Sequence, residues 1–153
     1  MECTEQQANK ENNMYQYKAK VLKVLDGDTV DIDLDLGFNI VLANQKVRLA
    51  GVDTPESRTT NLEEKPRGLL SKKKLQEKLP VGSWVTIETQ KSDNNDDKFG
   101  RILGVFILDD GTRVNQWLID NNYAVAYMGE NKDLVQEAHQ RNKKILIERG
   151  ELK

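Results

Sequence analysis

Acidic and basic side chains that could act together on a phosphate occur in three short segments of this 153-residue sequence. The segments are DGDT at 26–29, RLAGVDTPE at 48–56 and DKFGR at 97–101. Each is predicted at a turn or strand end, where binding and catalytic groups commonly lie. Carboxylates can hold a hard cation, and the planar guanidinium of arginine can donate two hydrogen bonds to a phosphate. Together these residue types favour charge stabilisation at a phosphoryl group.

The composition limits which metal such a cluster could bind. The sequence has one cysteine, Cys3, and one histidine, His139. These numbers exclude an intramolecular disulfide, a cysteine-based zinc site and a pair of histidine ligands within one chain. The ligands would be mainly oxygen atoms, which favours a hard cation such as calcium or magnesium. We expect His139 to be a surface residue of the last helix, without a catalytic role.

Asp28 is singled out by its position in an alternating strand. From residue 28 to 36 the apolar residues Val30, Ile32 and Leu34 alternate with aspartates, which predicts a strand with one buried face. Asp28 has the parity of the buried face, where an unpaired carboxylate is costly. Pairing or metal binding would offset this cost. The alternative is a turn residue that caps the end of the strand.

Five strands and three helices account for the chain after residue 13. The strands are predicted at 17–25, 28–36, 47–52, 84–89 and 101–108, and the helices at 66–79, 114–121 and 131–148. This order suggests a mainly β, α+β fold, a five-stranded OB-fold barrel with about three flanking helices. Residues 14–153 would form this single domain, and the polar residues 1–13 are predicted to be a disordered leader.

The second cluster carries a geometric prediction. Arg48 and Asp53 are five residues apart, so on a straight strand their side chains would point to opposite faces. Both side chains must face one site if they act together. We therefore predict that the strand is interrupted between them, by a bulge or by ending near Gly51.

The net charge of −2 and the pI of about 5.5 argue against a nucleic-acid binder, which is usually basic. The distribution weakens this argument, because residues 1–13 carry three glutamates against one lysine and so hold the whole excess. Residues 58–78 carry seven Lys or Arg against three Glu, and residues 141–153 carry five against two. Local basic faces are therefore possible.

The motifs DGDT, RLAGVDTPE and DKFGR resemble those of the staphylococcal nuclease (thermonuclease) family, in order and in separation, over Tyr17 to Tyr127. The resemblance implies a calcium-dependent phosphodiesterase that hydrolyses DNA and RNA. Water would attack phosphorus and the 5′ oxygen would leave, giving 3′-phosphate ends. Two departures from the family prototype are that the chain is not basic and that SRTTNLEEKP after Glu56 replaces a lysine-rich loop.

The resemblance also implies residue roles. The implied calcium ligands are the carboxylates of Asp28 and Asp53 and the main-chain carbonyl of Thr54. The implied catalytic residues are Arg48 and Arg101, which would contact the scissile phosphate, and Glu56, the general base. Candidates for further substrate contacts are Lys98 and Tyr127. We interpret Asn115 as a structural hydrogen-bonding residue.

A catalytically silent OB-type module that binds nucleic acid or protein is the alternative function. Such a module would be expected to lose several catalytic residues, whereas the set Asp28, Arg48, Asp53, Glu56 and Arg101 is complete. A DNA or RNA substrate and a monomer are expected. No segment approaches the about eighteen apolar residues of a membrane span, and no signal peptide opens the sequence. Secretion and a cytoplasmic location both remain open, as do the biological role and the preferred strand type.

Overall fold

The structure is a computed structural model that describes residues 15–89, 102–127 and 131–152. The strands are β1 (Gln16–Asp26), β2 (Thr29–Gly37), β3 (Ile40–Leu49), β4 (Val52–Asp53), β5 (Trp84–Thr89), β6 (Ile102–Ile107) and β7 (Val125–Ala126). The helices are α1 (Glu64–Lys78), α2 (Val114–Asp120) and α3 (Lys132–Glu148). The predicted leader of residues 1–13 lies outside the described residues.

The five long strands close into a barrel in the order β1-β2-β3-β6-β5, and β5 pairs with β1 to complete it. Neighbouring strands are antiparallel except for β3 and β6, which run parallel through residues 47–49 and 102–104. The two short strands β4 and β7 form a separate antiparallel pair. This arrangement, with three helices in the described part of the chain, confirms the predicted OB-type barrel of the α+β class.

The alternation in β2 produces the expected division between core and surface. Val30, Ile32 and Leu34 are buried in the barrel, and the aspartates between them are partly exposed. Ile87 of β5 and Phe106 of β6 are also fully buried in this core. Apolar burial of this kind is the main force that holds a small barrel together.

β3 differs from the prediction at both ends. It begins at Ile40 rather than residue 47, after a turn in which Gly37, Phe38 and Asn39 all have positive φ. Residues 40–44 are exposed, so no alternation of buried and exposed side chains marks this part of the strand. The strand also ends early, at Leu49 rather than residue 52.

α3 places one side against the end of the barrel and contacts β7. Val135, His139 and Leu146 are buried along this side, at the spacing of one helical face. Asn142 lies on the same side and donates a hydrogen bond to the carbonyl of Ala124 at 3.3 Å. Among the helices of the three described segments, none has both the length and the apolar character needed to cross a membrane.

Candidate active site

The strand that carries Arg48 ends before Asp53, as the parity of the two positions predicts. This interruption at Ala50 and Gly51 is called the break. β3 ends at Leu49, and Gly51 adopts a φ of +76°, which glycine reaches without the steric penalty of a Cβ. Val52 and Asp53 then start β4, which pairs with β7 instead of continuing in the barrel. The interruption turns both side chains toward one cavity.

Asn115 of α2 holds this break in place from inside the protein. Its side-chain amide donates to the carbonyls of Ala50 at 2.9 Å and Gly104 at 3.1 Å, and its oxygen accepts from the Phe106 N–H at 3.3 Å. The side chain is buried, so these bonds satisfy backbone groups that water cannot reach. The interpretation of Asn115 as a structural hydrogen-bonding residue is confirmed.

An open cavity of about 420 Å³ lies beside the break. Its polar lining is dominated by charged side chains, which are Asp26, Asp28, Lys46, Arg48, Asp53, Glu56 and Arg58. Leu25, Thr29 and Thr54 complete it. The first two motifs supply five predicted site residues, and all five line this cavity. They are Asp28, Arg48, Asp53, Thr54 and Glu56.

The guanidinium of Arg48 lies between two carboxylates. It is 3.4 Å from Oδ2 of Asp28 and 3.9 Å from Oδ1 of Asp53. Its Nη1 donates to the carbonyl of Leu49 at 3.0 Å, which orients the group from its own strand. Only 16% of the side chain is exposed, so the guanidinium is held in place rather than free in solvent.

Asp28 occupies the turn between β1 and β2, where the backbone and a hydroxyl fix it. Its carbonyl accepts from the Leu49 N–H at 2.8 Å, and its Oδ1 accepts from the Thr29 hydroxyl at 3.1 Å. Burial raises the pKa of Asp28, and the charges of Asp26 and Asp53 raise it further, while Arg48 lowers it. The main cause is removal of the carboxylate from water, which Arg48 offsets only in part, and a bound cation would favour the ionised form.

The donor set fits a hard cation that keeps part of its water. Asp28 and Asp53 offer carboxylate oxygens, and Thr54, which follows Asp53 in the chain, offers a main-chain carbonyl. Within the described residues there is no group of three or more His, Cys, Asp or Glu side chains arranged for a metal. Calcium takes six to eight oxygen ligands, so water would complete its coordination shell. The cavity has room for several water molecules.

The loop that carries Glu56 is fastened at two points. Asp26 accepts hydrogen bonds from the N–H groups of Gly27 at 2.9 Å and Ser57 at 3.3 Å, which ties the loop to the end of β1. Glu64, at the start of α1, accepts from the Glu56 N–H at 2.9 Å. The Glu56 side chain itself is exposed at the cavity. Its backbone is thus fixed while its carboxylate can reach a bound molecule.

A family model described as staphylococcal nuclease homologue matches residues 46–148, which is more than half of the chain. The chain belongs to the staphylococcal nuclease family. The match begins within β3, at Lys46, and contains Gly51 and the Glu56 loop, so it includes six of the ten residues that line the cavity.

The chain is similar to three proteins over about three quarters of its length. The succinoglycan biosynthesis protein ExoI of Rhizobium meliloti is 31% identical over 117 residues, which are 76% of this chain and 56% of that protein. Endonuclease YhcR of Bacillus subtilis is also 31% identical over 117 residues, covering 73% and 9%. An uncharacterized endonuclease of Escherichia coli is 30% identical over 116 residues, covering 76% and 65%. The chain spans less than two thirds of the length of each.

Three further predicted site residues of this nuclease-family domain are not placed in the cavity. Arg101 and Lys98 lie outside the described residues. Tyr127 donates its N–H to the carbonyl of Gly51 at 2.8 Å, so its backbone adjoins the break, but its side chain is not part of the cavity lining. The roles of these three residues stay predictions.

The expectation that His139 is a surface residue is wrong. The residue is 4% exposed, and its Nε2 lies 2.7 Å from Oδ2 of Asp53. The signal was present in the sequence, because Val135, His139 and Leu146 fall on one helical face. Asp26 and Arg58 also line the cavity, and neither was predicted as a site residue.

Gly68 sets how closely α1 approaches the loop that carries Glu56, and replacing it with alanine should destabilise the protein. Alanine is the better helix former by about 1 kcal/mol. A Cβ at position 68, however, would lie 2.1 Å from the backbone oxygen of Glu56, so helix or loop must move. Overpacking of this kind costs roughly 1–3 kcal/mol. We expect a lower urea midpoint than for wild type, whereas Leu69→Ala on the exposed side of α1 should change it little. A midpoint at or above the wild-type value would contradict this packing.

Proposed function

We propose that this domain is a calcium-dependent phosphodiesterase that hydrolyses DNA and RNA, by attack of water on phosphorus with the 5′ oxygen leaving to give 3′-phosphate ends. One observation carries the proposal: Asp28, Arg48, Asp53 and Glu56 meet at one open polar cavity, with the guanidinium between the two aspartates. A site that only needed to be stable would not combine a buried carboxylate with an open cavity beside it.

The two aspartates and the carbonyl of Thr54 are the proposed cation ligands. A calcium ion held there would supply positive charge against the phosphate oxygens. The raised pKa of Asp28, caused first by burial, fits this role because a bound cation would favour the ionised carboxylate.

Arg48 is the proposed phosphate-binding residue of the described cavity wall. Its guanidinium is fixed by the Leu49 carbonyl and the two aspartates, so it needs little reorganisation when negative charge builds on the phosphate. Its planar fork can donate two hydrogen bonds to phosphate oxygens. Arg101 is proposed as the second guanidinium on the resemblance of the DKFGR motif.

Glu56 is the proposed general base. Its carboxylate lines the cavity, is exposed to solvent and can reach a water molecule beside the substrate. The anchoring of its N–H by Glu64 limits the positions from which it can accept a proton. Acceptance of the proton would make the attacking water more nucleophilic as the bond to phosphorus forms.

Arg58 is a proposed substrate-binding residue that takes no part in the catalytic steps. It is exposed at the cavity rim, whereas Lys46, the other basic rim residue, is paired with Asp31 at 3.3 Å. Arg58→Ala should raise KM by about threefold to fivefold and leave kcat unchanged, because one exposed charge contact is worth about 1 kcal/mol or less. Steady-state kinetics at two salt concentrations checks this, and the difference should shrink at high salt. A loss of kcat with KM unchanged would move Arg58 into the catalytic group.

Asp28→Ala tests the proposal at the cation. Removing this ligand should weaken calcium binding and lower hydrolysis together, because one of two carboxylates is lost. Calorimetry with calcium and an assay of DNA hydrolysis give the two measurements. Asp33→Ala is the matched control, since Asp33 faces away from the core on β2, the strand that follows Asp28. An Asp28→Ala protein with wild-type calcium affinity would contradict the assignment of this ligand.

A further inference from the structure

His139 is a buried polar residue that none of the proposed catalytic steps uses. It projects from the inward side of α3, is 4% exposed and lies 2.7 Å from Oδ2 of Asp53 through Nε2. A carboxylate oxygen of ionised Asp53 can only accept a hydrogen bond, so Nε2 carries the hydrogen and donates it. A short hydrogen bond from a buried imidazole restrains the orientation of the carboxylate that accepts it.

The bond divides the two oxygens of Asp53 between two neighbours. Oδ2 is occupied by the imidazole, whereas Oδ1 is on the side of Arg48, 3.9 Å from Nη2. Without the imidazole, the carboxylate could rotate about its last bond toward the guanidinium. A planar guanidinium favours two parallel hydrogen bonds with one carboxylate, so the competing arrangement is a closed Arg48–Asp53 pair that removes both groups from the cavity.

We propose that His139 is a positioning residue that holds Asp53 with Oδ1 directed to the cavity, as a cation ligand kept apart from Arg48. This inference deepens the proposed function and rests on it. Hydrogen bonds to ligating carboxylates fix their orientation, and loss of such a partner typically weakens metal binding by about tenfold to a hundredfold. A ligand that is already oriented loses less conformational freedom when the cation binds.

The same bond explains how the C-terminal helix takes part in the site. Every described residue that lines the cavity lies between Leu25 and Arg58, so α3 acts on the described wall through the contact of His139 with Asp53. Asp53 lies in a two-residue strand, which restrains it less than a long strand of the barrel would. Docking of α3 through His139 therefore supplies orientation that β4 lacks.

Three variants separate the hydrogen bond from the bulk of the side chain. His139→Gln keeps an N–H donor, because the glutamine amide nitrogen is as many bonds from Cα as Nε2 of histidine. His139→Leu fills the space without a donor, and His139→Met serves the same purpose if the leucine variant does not fold. Gln140→Leu, at the exposed neighbouring position of α3, is the matched control. Thermal unfolding in chelator identifies the folded variants before any titration.

Calorimetric titration of calcium into each cation-free protein is the deciding measurement. We expect the leucine variant to bind calcium roughly tenfold more weakly than wild type, the glutamine variant to stay within about threefold of wild type, and the Gln140→Leu protein to match it. A folded leucine or methionine variant with wild-type affinity would overturn the positioning role, and so would equal losses in the Gln140→Leu control. If wild type itself bound no calcium, the proposed cofactor would fail and this inference with it, a result distinct from the first two.

Discussion

Arg48→Ala should lower kcat for DNA hydrolysis by on the order of a hundredfold or more, because preorganised charge at the phosphate is usually a dominant catalytic term. The Arg48 side chain is only 16% exposed, and its guanidinium is oriented by the Leu49 carbonyl. Water that fills the space in the variant would not supply a positive charge at the same place. Calcium affinity should be unchanged or higher, since the substitution removes a positive charge beside Asp28 and Asp53. Single-turnover kinetics together with calcium calorimetry measures the two effects separately.

Two further variants test whether the loss of turnover in Arg48→Ala depends on the shape and the position of the guanidinium. Arg48→Lys keeps the charge but loses the planar fork, so it should recover only part of the lost turnover. Arg58→Ala removes a guanidinium from the rim of the same cavity and should leave kcat at the wild-type value. If Arg48→Ala kept wild-type turnover, or lost calcium binding instead, Arg48 would be a structural partner of the aspartates and not a phosphate ligand.

Glu56→Gln should lower kcat by roughly a hundredfold to ten-thousandfold, the range that general base catalysis contributes. Glutamine keeps the shape and a hydrogen-bonding oxygen but cannot accept a proton at neutral pH. Because the side chain is exposed and its backbone is held by Glu64, the substitution should leave KM and the unfolding temperature nearly unchanged. Steady-state kinetics and thermal unfolding provide these values.

Glu64→Gln is the matched control for the Glu56 variant. Its amide oxygen can still accept from the Glu56 N–H, so the loop should stay in place and kcat should fall much less than in Glu56→Gln. A Glu56→Gln protein with a raised KM and preserved kcat would instead assign Glu56 to substrate positioning.

The sequence was sufficient where a local pattern and the three-dimensional arrangement agree. The alternation of Val30, Ile32 and Leu34 predicted both β2 and its buried face. The parity of Arg48 and Asp53 predicted a break that the structure places at Ala50 and Gly51, because no straight strand can turn both side chains to one cavity.

The sequence was insufficient where neighbours come from distant parts of the chain. The first half of β3 is exposed and has no alternation to detect, so its start at Ile40 depends on pairing with β2. His139 is 86 residues from Asp53, and their contact appears only when α3 docks beside β7. Arg58 lies at the cavity rim in a loop whose sequence has no regular period, so no pattern predicted where its side chain points.

Digestion of single-stranded DNA, double-stranded DNA and RNA by the wild-type protein, each in calcium and in chelator, tests the central claim most directly. The proposed site predicts hydrolysis of DNA and RNA in calcium, with 3′-phosphate ends, and loss of hydrolysis in chelator. The absence of hydrolysis in calcium on all three substrates would favour the silent binding module, and equal hydrolysis in chelator would contradict the role of the cation.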